Sequence, residues 1–232
     1  ADHVVSRLAA ADTVSARMAT AYSGVDLPDV PMVFLEFHAD HGIEAEIEFC
    51  QTVMGAHDPE RFELAGESEM AELWRLRRDL AFALRAYDPD LQPLHPGDVT
   101  VPISQYGPLI EYAKQLEAEH DLQIPCFGHA GDGNIHYTVM VDPSDPDQVE
   151  RGGAIYADIV GRAIDAGGTA TGEHGIGLGK RRYLEAEHGT ETVAAMQTVK
   201  NALDPEGILN PGKIFPTDDG DRWQRAEAGD DE

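Results

Sequence analysis

Positive charge is scarce in this sequence. Four lysines (Lys114, Lys180, Lys200 and Lys213) stand in a chain of 232 residues, and 43 acidic side chains against 17 basic ones give a formal charge of -26. A surface of that sign repels phosphate backbones and anionic lipid, which argues against nucleic acid and acidic membrane as partners. Cysteine is nearly absent as well. Cys50 and Cys126 form no CxxC pair, so neither a disulfide framework nor a zinc ribbon is indicated, and a reducing cytoplasm is the expected compartment. No apolar run approaches a membrane span, and the opening "ADHVVSRLAAADTVSARMAT" lacks the basic region, apolar centre and cleavage site of a signal peptide. No strand leads into a glycine-rich dinucleotide fingerprint, and no HExxH helix is present. A doubly wound nucleotide-binding sheet and a metalloprotease helix are thereby set aside.

What is present is acid spread along the whole chain, a pattern that repels itself at low salt and suits a salt-rich cytoplasm. The periodicity predicts a helical N-terminal stretch carrying Val4, Val5, Leu8 and Ala11 and ending near Ser23-Gly24, then a loop and a strand over 32–38. Ile43, Ile47, Val53 and Met54 mark an amphipathic helix, "RFELAG" a short strand, and 68–87 a long helix. A strand over 98–103 precedes a helix capped by Ser104, and a hairpin around 132–133 leads into a helix over 147–166 stopped by Gly167-Gly168. Helices near 178–188 and 190–203 follow, and "TDDGDRWQRAEAGDDE", 217–232, reads as a disordered acidic tail. The expected fold is α+β, an antiparallel sheet covered by helices.

Three stretches carry candidate chemistry. In "GHAGDGNIH" (128–136), Asp132-Gly133 favours a two-residue turn whose central residues need positive φ. A turn there pairs Gly131 with Asn134, Ala130 with Ile135 and His129 with His136. Opposed Cβ atoms lie roughly 5 Å apart, near enough for two ring nitrogens to share one cation at about 2 Å each. The plainer alternative is a pair of histidines bonded only to backbone; the symmetry about the turn speaks for one shared face. In "TGEHGIGLGKRR" (171–182), Glu173 and His174 sit between glycines, and Glu173 is the third ligand candidate. This loop lacks the first glycine and final Ser/Thr of a phosphate-binding P-loop. Finally, Arg77 falls in the middle of the apolar stripe Met70, Leu73, Trp74, Leu80, Ala81 and Leu84. An inward guanidinium needs a buried anion or an escape for its head group; the alternatives are snorkelling, a structural Asp partner, or a fork for a substrate carboxylate.

"GHAGDGNIH", "TGEHGIGLGKRRYLEAEHG" and "KNALDPEGILNPGKIF", with "YSGVDLP", "FLEFH", "LWRLRRD" and "DVTVPIS" in the same order, resemble the C-terminal domain of FAD-linked oxidases of the vanillyl-alcohol oxidase type. The branch is that of D-lactate dehydrogenase, the glycolate oxidase FAD subunit and D-2-hydroxyglutarate dehydrogenase. The resemblance implies a ferredoxin-like substrate or cap domain over residues 1–216. It further implies a divalent metal, zinc, on His129, His136 and Glu173, with His174 as the base at the substrate hydroxyl and Asn134 beside it. Arg77 would contact the substrate carboxylate, and Asn210 and Lys213 of "NPGK" the flavin region. The partners implied are a small 2-hydroxy acid and an FAD-binding domain or subunit, which the similarity places ahead of residue 1 and which is expected to be missing here.

In "HPGDVTV", Pro96 stands where dicarboxylate-specific relatives are expected to carry a lysine, so a 2-hydroxy monocarboxylic acid is the expected substrate. Two other classes compete with this assignment: a free-standing metal hydrolase using the same His/His/Glu set to activate water, and a non-catalytic interaction remnant.

Overall fold

The computed structural model describes residues 5–25, 27–38 and 42–215. Five strands form one antiparallel sheet in the order β2-β1-β5-β6-β4, comprising β1 (Val5–Ala11), β2 (Met32–Phe37), β4 (Gly97–Thr100), β5 (Cys126–His129) and β6 (Asn134–Tyr137). A second, two-stranded sheet pairs β3 (Gln92–Pro93) with β7 (Met140–Val141). The helices are α1 (Thr13–Ser23), α2 (Ile43–Gly55), α3 (Glu67–Tyr87), α4 (Ile103–His120), α5 (Pro146–Asp165), α6 (Leu184–His188) and α7 (Thr190–Leu203). The α+β class read from the sequence is what the structure has.

Alternation along β4, β5 and β6 sends one set of side chains to each face. Val99, Cys126, Ile135 and Tyr137 lie against Leu109, Ala113 and Leu116 of α4 and Ile155, Ile159 and Val160 of α5. Each such fully buried aliphatic chain contributes about 1.5–3 kcal/mol. On the opposite face Ala11 and Phe127 meet Met18 and Ala19 of α1 and Leu80 and Leu84 of α3. The core is therefore double, with the sheet between two helical layers. A buried polar corner ties the layers: Asp12 caps α1 by accepting from Ser15 N at 2.7 Å and is ion-paired with Lys114 of α4, which also bonds Glu117 and the Ile124 carbonyl.

Several expectations are corrected. The N-terminal stretch is a strand, β1, followed by a separate helix from Thr13; its alanines favour a helix locally, but pairing with β2 and β5 satisfies its backbone instead. Residues 61–66, "RFELAG", are irregular. Pro102, not Ser104, is the N-cap of α4. The helix expected near 178–188 is a 3-10 turn over Arg181–Tyr183 and the five-residue α6. The expected tail, 217–232, lies outside the described residues. Among the described residues no helix is long and apolar enough to cross a membrane.

Candidate functional site

The hairpin between β5 and β6 is where the sequence reading and the structure part most instructively. His129 is opposite Asn134, Gly128 opposite Ile135, and Phe127 opposite His136. The loop is thus four residues, Ala130–Gly133, with Asp132 N donating to the His129 carbonyl at 3.3 Å. Gly133 alone of the central pair has positive φ (81°), and a side chain there would strike the Val101 carbonyl. His136 therefore faces a residue two positions earlier than a two-residue turn requires. A shift of two keeps the face, so His129 and His136 remain on one side as diagonal neighbours, ring centroids 5.5 Å apart. Asp98 of β4, directly opposite His136 on the other flank, shares that face.

The segment carrying Glu173 and His174 is brought over this face by β4. Thr169 bridges Thr100, N to O at 2.8 Å in one direction and 3.3 Å in the other. Three residues later Gly172 sits so close to the sheet that a side chain would collide with Asn134 Nδ2, Asp98 Oδ1 and Thr100 Oγ1. The backbone N–H groups of Gly172, Glu173 and His174 then donate to Asp98 Oδ2 at 3.0, 2.9 and 2.8 Å. Asn134 Nδ2 donates to the other oxygen at 2.7 Å.

Two overlapping sets of potential ligand atoms result, each with its members within 4.8 Å of one another: His129, His136 and Glu173, and Asp98, His136 and His174. Glu173 Oε1 lies 3.2 Å from His136 Nε2 and 3.7 Å from His129 Nε2, bracketing the roughly 3.4 Å between tetrahedral neighbours on one ion. Asp98 is fully buried and its lone pairs are already spent on donors. In the first set His136 and Glu173 keep free lone pairs, and His129 Nε2 would exchange its contact with Arg77 for the ion. Asp98 instead faces the far nitrogen of His136, Nδ1, at 3.6 Å, the place a carboxylate takes behind a metal-ligating imidazole.

The electrostatics agree with that division. His136 is pushed down to about 4 by burial first and by the Arg77 charge second, so its ring is neutral near pH 7 and its lone pair is available. Burial works to raise the Asp98 carboxyl, yet bonds from the His174 backbone, the Asn134 amide and the Glu173 backbone, with Lys180 nearby, hold it below the ordinary carboxylate range. Arg77 is lowered by burial and partly restored by Glu173. Its Nη2 lies 3.2 Å from His129 Nε2, and since a guanidinium only donates, the imidazole nitrogen is the acceptor. The guanidinium also lies over the Phe127 ring, 5.5 Å from its centroid.

The structure thus gathers His129, His136, Glu173, His174, Asn134 and Arg77 into one cluster; the His174 ring stacks on His136 at 5.4 Å. Arg77 does lie on the inward face of α3, though that face runs through Leu76, Leu80, Ala83 and Leu84, and Ala81 is exposed. Asn210 and Lys213 are exposed in the turn after α7; none of the hydrogen bonds or ion pairs described above joins them to the cluster. Arg181, adjacent to Lys180, donates to the Gly212 carbonyl in that turn at 2.5 Å. Sequence reasoning missed Asp98 and Lys180. The signal for the first was a charge between apolar positions in a stretch where Val99 and Val101 are core.

The architecture and this cluster define a class. The chain matches the family "FAD linked oxidases, C-terminal domain" over residues 1–214 and belongs to it. It is 35% identical over 214 residues to a mitochondrial D-lactate dehydrogenase [cytochrome] of Arabidopsis thaliana, covering 91% of this chain and 38% of that protein. Against the glycolate oxidase subunit GlcD of Bacillus subtilis it is 36% identical over 203 residues, covering 85% and 42%. The chain therefore spans about two fifths of the length of these relatives. Among solved structures its fold is that of part of 4-ethylphenol oxidase from Gulosibacter chungangensis, with a TM-score of 0.63 at 15% identity over 90% of this chain and 48% of the other.

Proposed function

We propose that residues 1–216 form the substrate- and metal-binding domain of an FAD-dependent dehydrogenase of small D-2-hydroxy acids, of the D-lactate or glycolate type. The observation that carries this reading is the convergence of two imidazole Nε2 atoms on one Glu173 oxygen, at 3.2 and 3.7 Å, with a half-buried arginine at its rim. Two neutral imidazoles and a carboxylate suit zinc better than ions that prefer oxygen-only shells. Held by His129, His136 and Glu173, such an ion supplies positive charge that lowers the pKa of a substrate hydroxyl.

The remaining work falls to side chains of this chain. Arg77, whose buried Nε has no hydrogen-bond partner among the described residues, offers its N–H groups to the carboxylate of the acid and fixes that end. Asn134, its Nδ2 committed to Asp98, keeps a buried Oδ1 without a partner among the described residues and lines the site beside the hydroxyl. His174, exposed and stacked on His136, takes the hydroxyl proton as the hydrogen on C2 departs with its electron pair. The family's FAD accepts those electrons when bound. None of the described strands runs through a glycine-rich turn into a helix, so the flavin is to be held mainly by another domain or subunit, with Asn210 and Lys213 as this chain's contribution. Pro96 beside Asp98 favours a monocarboxylic acid, and the charge of -26 favours a salt-rich cytoplasm.

Zinc titrated into the metal-free chain against a competing chelator is expected to bind one ion per chain. His136→Ala should lose that site with helix content unchanged by circular dichroism; wild-type zinc occupancy in the variant would overturn the assignment. Mixing the zinc-loaded chain with a flavin-loaded FAD-binding partner should give dye reduction by D-lactate, whereas ester hydrolysis by the chain alone would support the hydrolase alternative.

A further inference from the structure

The segment that delivers Glu173 and His174 belongs to neither helix nor strand, so something other than a backbone ladder must give it its shape. Asp98 does so from inside the protein. Its Oδ2 receives the three successive N–H groups of Gly172, Glu173 and His174 and also the Thr171 hydroxyl at 3.2 Å, while Oδ1 receives the Asn134 amide. Consecutive amides converging on one anionic oxygen form the concavity that elsewhere binds a free anion; here the chain fills it with its own carboxylate. Lys180 closes the arrangement, donating from Nζ to the Asp98 carbonyl at 2.6 Å and lying 3.5 Å from Oδ2. Both side chains are nearly or fully buried, Lys180 at 6% and Asp98 at 0% side-chain exposure, so the pair shares its charges out of water. Gly172 is required where it stands, since any side chain would drive the segment off the carboxylate.

We propose that Asp98, backed by Lys180, is the positioning residue of this site: by gathering the backbone of residues 172–174 it aims the Glu173 carboxylate at His129 and His136 and lays the His174 ring on His136. The functional consequence rests on the metal site proposed above; the geometry does not. An amide in place of the carboxylate fails for a specific reason. It has one acceptor oxygen: set at the Oδ2 position it turns a donor toward the Asn134 amide, set at Oδ1 it turns one toward the three N–H groups, and in either pose it loses the charge facing buried Lys180, so Asp98→Asn preserves shape and weakens the gathering.

The test is residue-resolved amide exchange on the metal-free chain, combined with zinc affinity measured against a chelator. In the wild type the amides of Gly172, Glu173 and His174 should exchange slowly although the segment is exposed; exchange at the rate of an open loop overturns the proposal. In folded Asp98→Asn these three amides should lose roughly 10- to 100-fold in protection, and zinc affinity should fall about 10- to 100-fold, as for other groups that orient metal ligands. A folded variant with wild-type protection and zinc affinity overturns it. Should Asp98→Asn not fold, Lys180→Met is expected to shift both readouts in the same direction by a smaller factor, and no shift in either counts against the proposal. Should the wild type bind no zinc, the metal reading fails, while the exchange data still decide whether Asp98 positions the segment.

Discussion

Strands β4, β5 and β6 present two faces that could hardly differ more. Toward α4 and α5 the sheet offers Val99, Cys126, Ile135 and Tyr137, and the space beyond them is filled with aliphatic side chains. Toward α1 and α3 it is apolar only at one end, around Ala11 and Phe127; at the other it carries Asp98, His129, Asn134 and His136. The first face stabilises the fold, and the second uses that stability to keep polar groups where water alone would not hold them. The difference teaches that the cluster is affordable only because the opposite side of the same strands is fully packed.

Breaking the packed face should have the largest effect. Ile135→Asp sets an unpaired carboxylate among α4 and α5 and is expected to cost more than about 4 kcal/mol, visible as loss of cooperative urea unfolding. A folded variant of near wild-type stability would show that the two faces are not so unequal.

Acid should act on the polar face next. The His136 ring, held down to about 4 from an ordinary 6.5, must be neutral in the fold and takes a proton more readily when unfolded. Stability from this group is therefore complete above pH 6.5 and is lost as pH falls toward 4, by about 3 kcal/mol in all. Denaturant unfolding of the metal-free protein at several pH values, compared with His136→Gln, isolates the contribution; parallel pH profiles for the two proteins would refute it.

Arg77→Met should have the smallest structural effect, below about 1 kcal/mol, since the methionine keeps the contact with Phe127. Binding of D-lactate to the zinc-loaded chain, followed by calorimetry, should weaken roughly 10- to 100-fold. A large loss of stability with unchanged acid binding would make Arg77 a structural residue of α3.

Much of this division was legible before the structure. His129, His136, Glu173 and Arg77 could be nominated because turn chemistry, glycine flanks and helical periodicity are local properties. The hairpin register was not legible, because Asp-Gly permits more than one loop length and the neighbouring β4 and β1 strands share in choosing it. The error was harmless for the site only because a two-residue displacement preserves the side of the sheet. The N-terminal strand was hidden by its alanines, which favour a helix until a partner strand is supplied. Asp98 was hidden for a different reason: its partners are the backbone amides of residues more than 70 positions away, and backbone donors leave no mark in a sequence.

By itself, then, the sequence determined the α+β class and the identities of the groups able to hold a cation, since composition and short-range spacing carry that information. Only the tertiary structure decided which carboxylate faces the imidazoles and which one lies beneath them. That choice depends on hydrogen-bond donors and burial supplied by distant segments, which come into being only when the chain has folded.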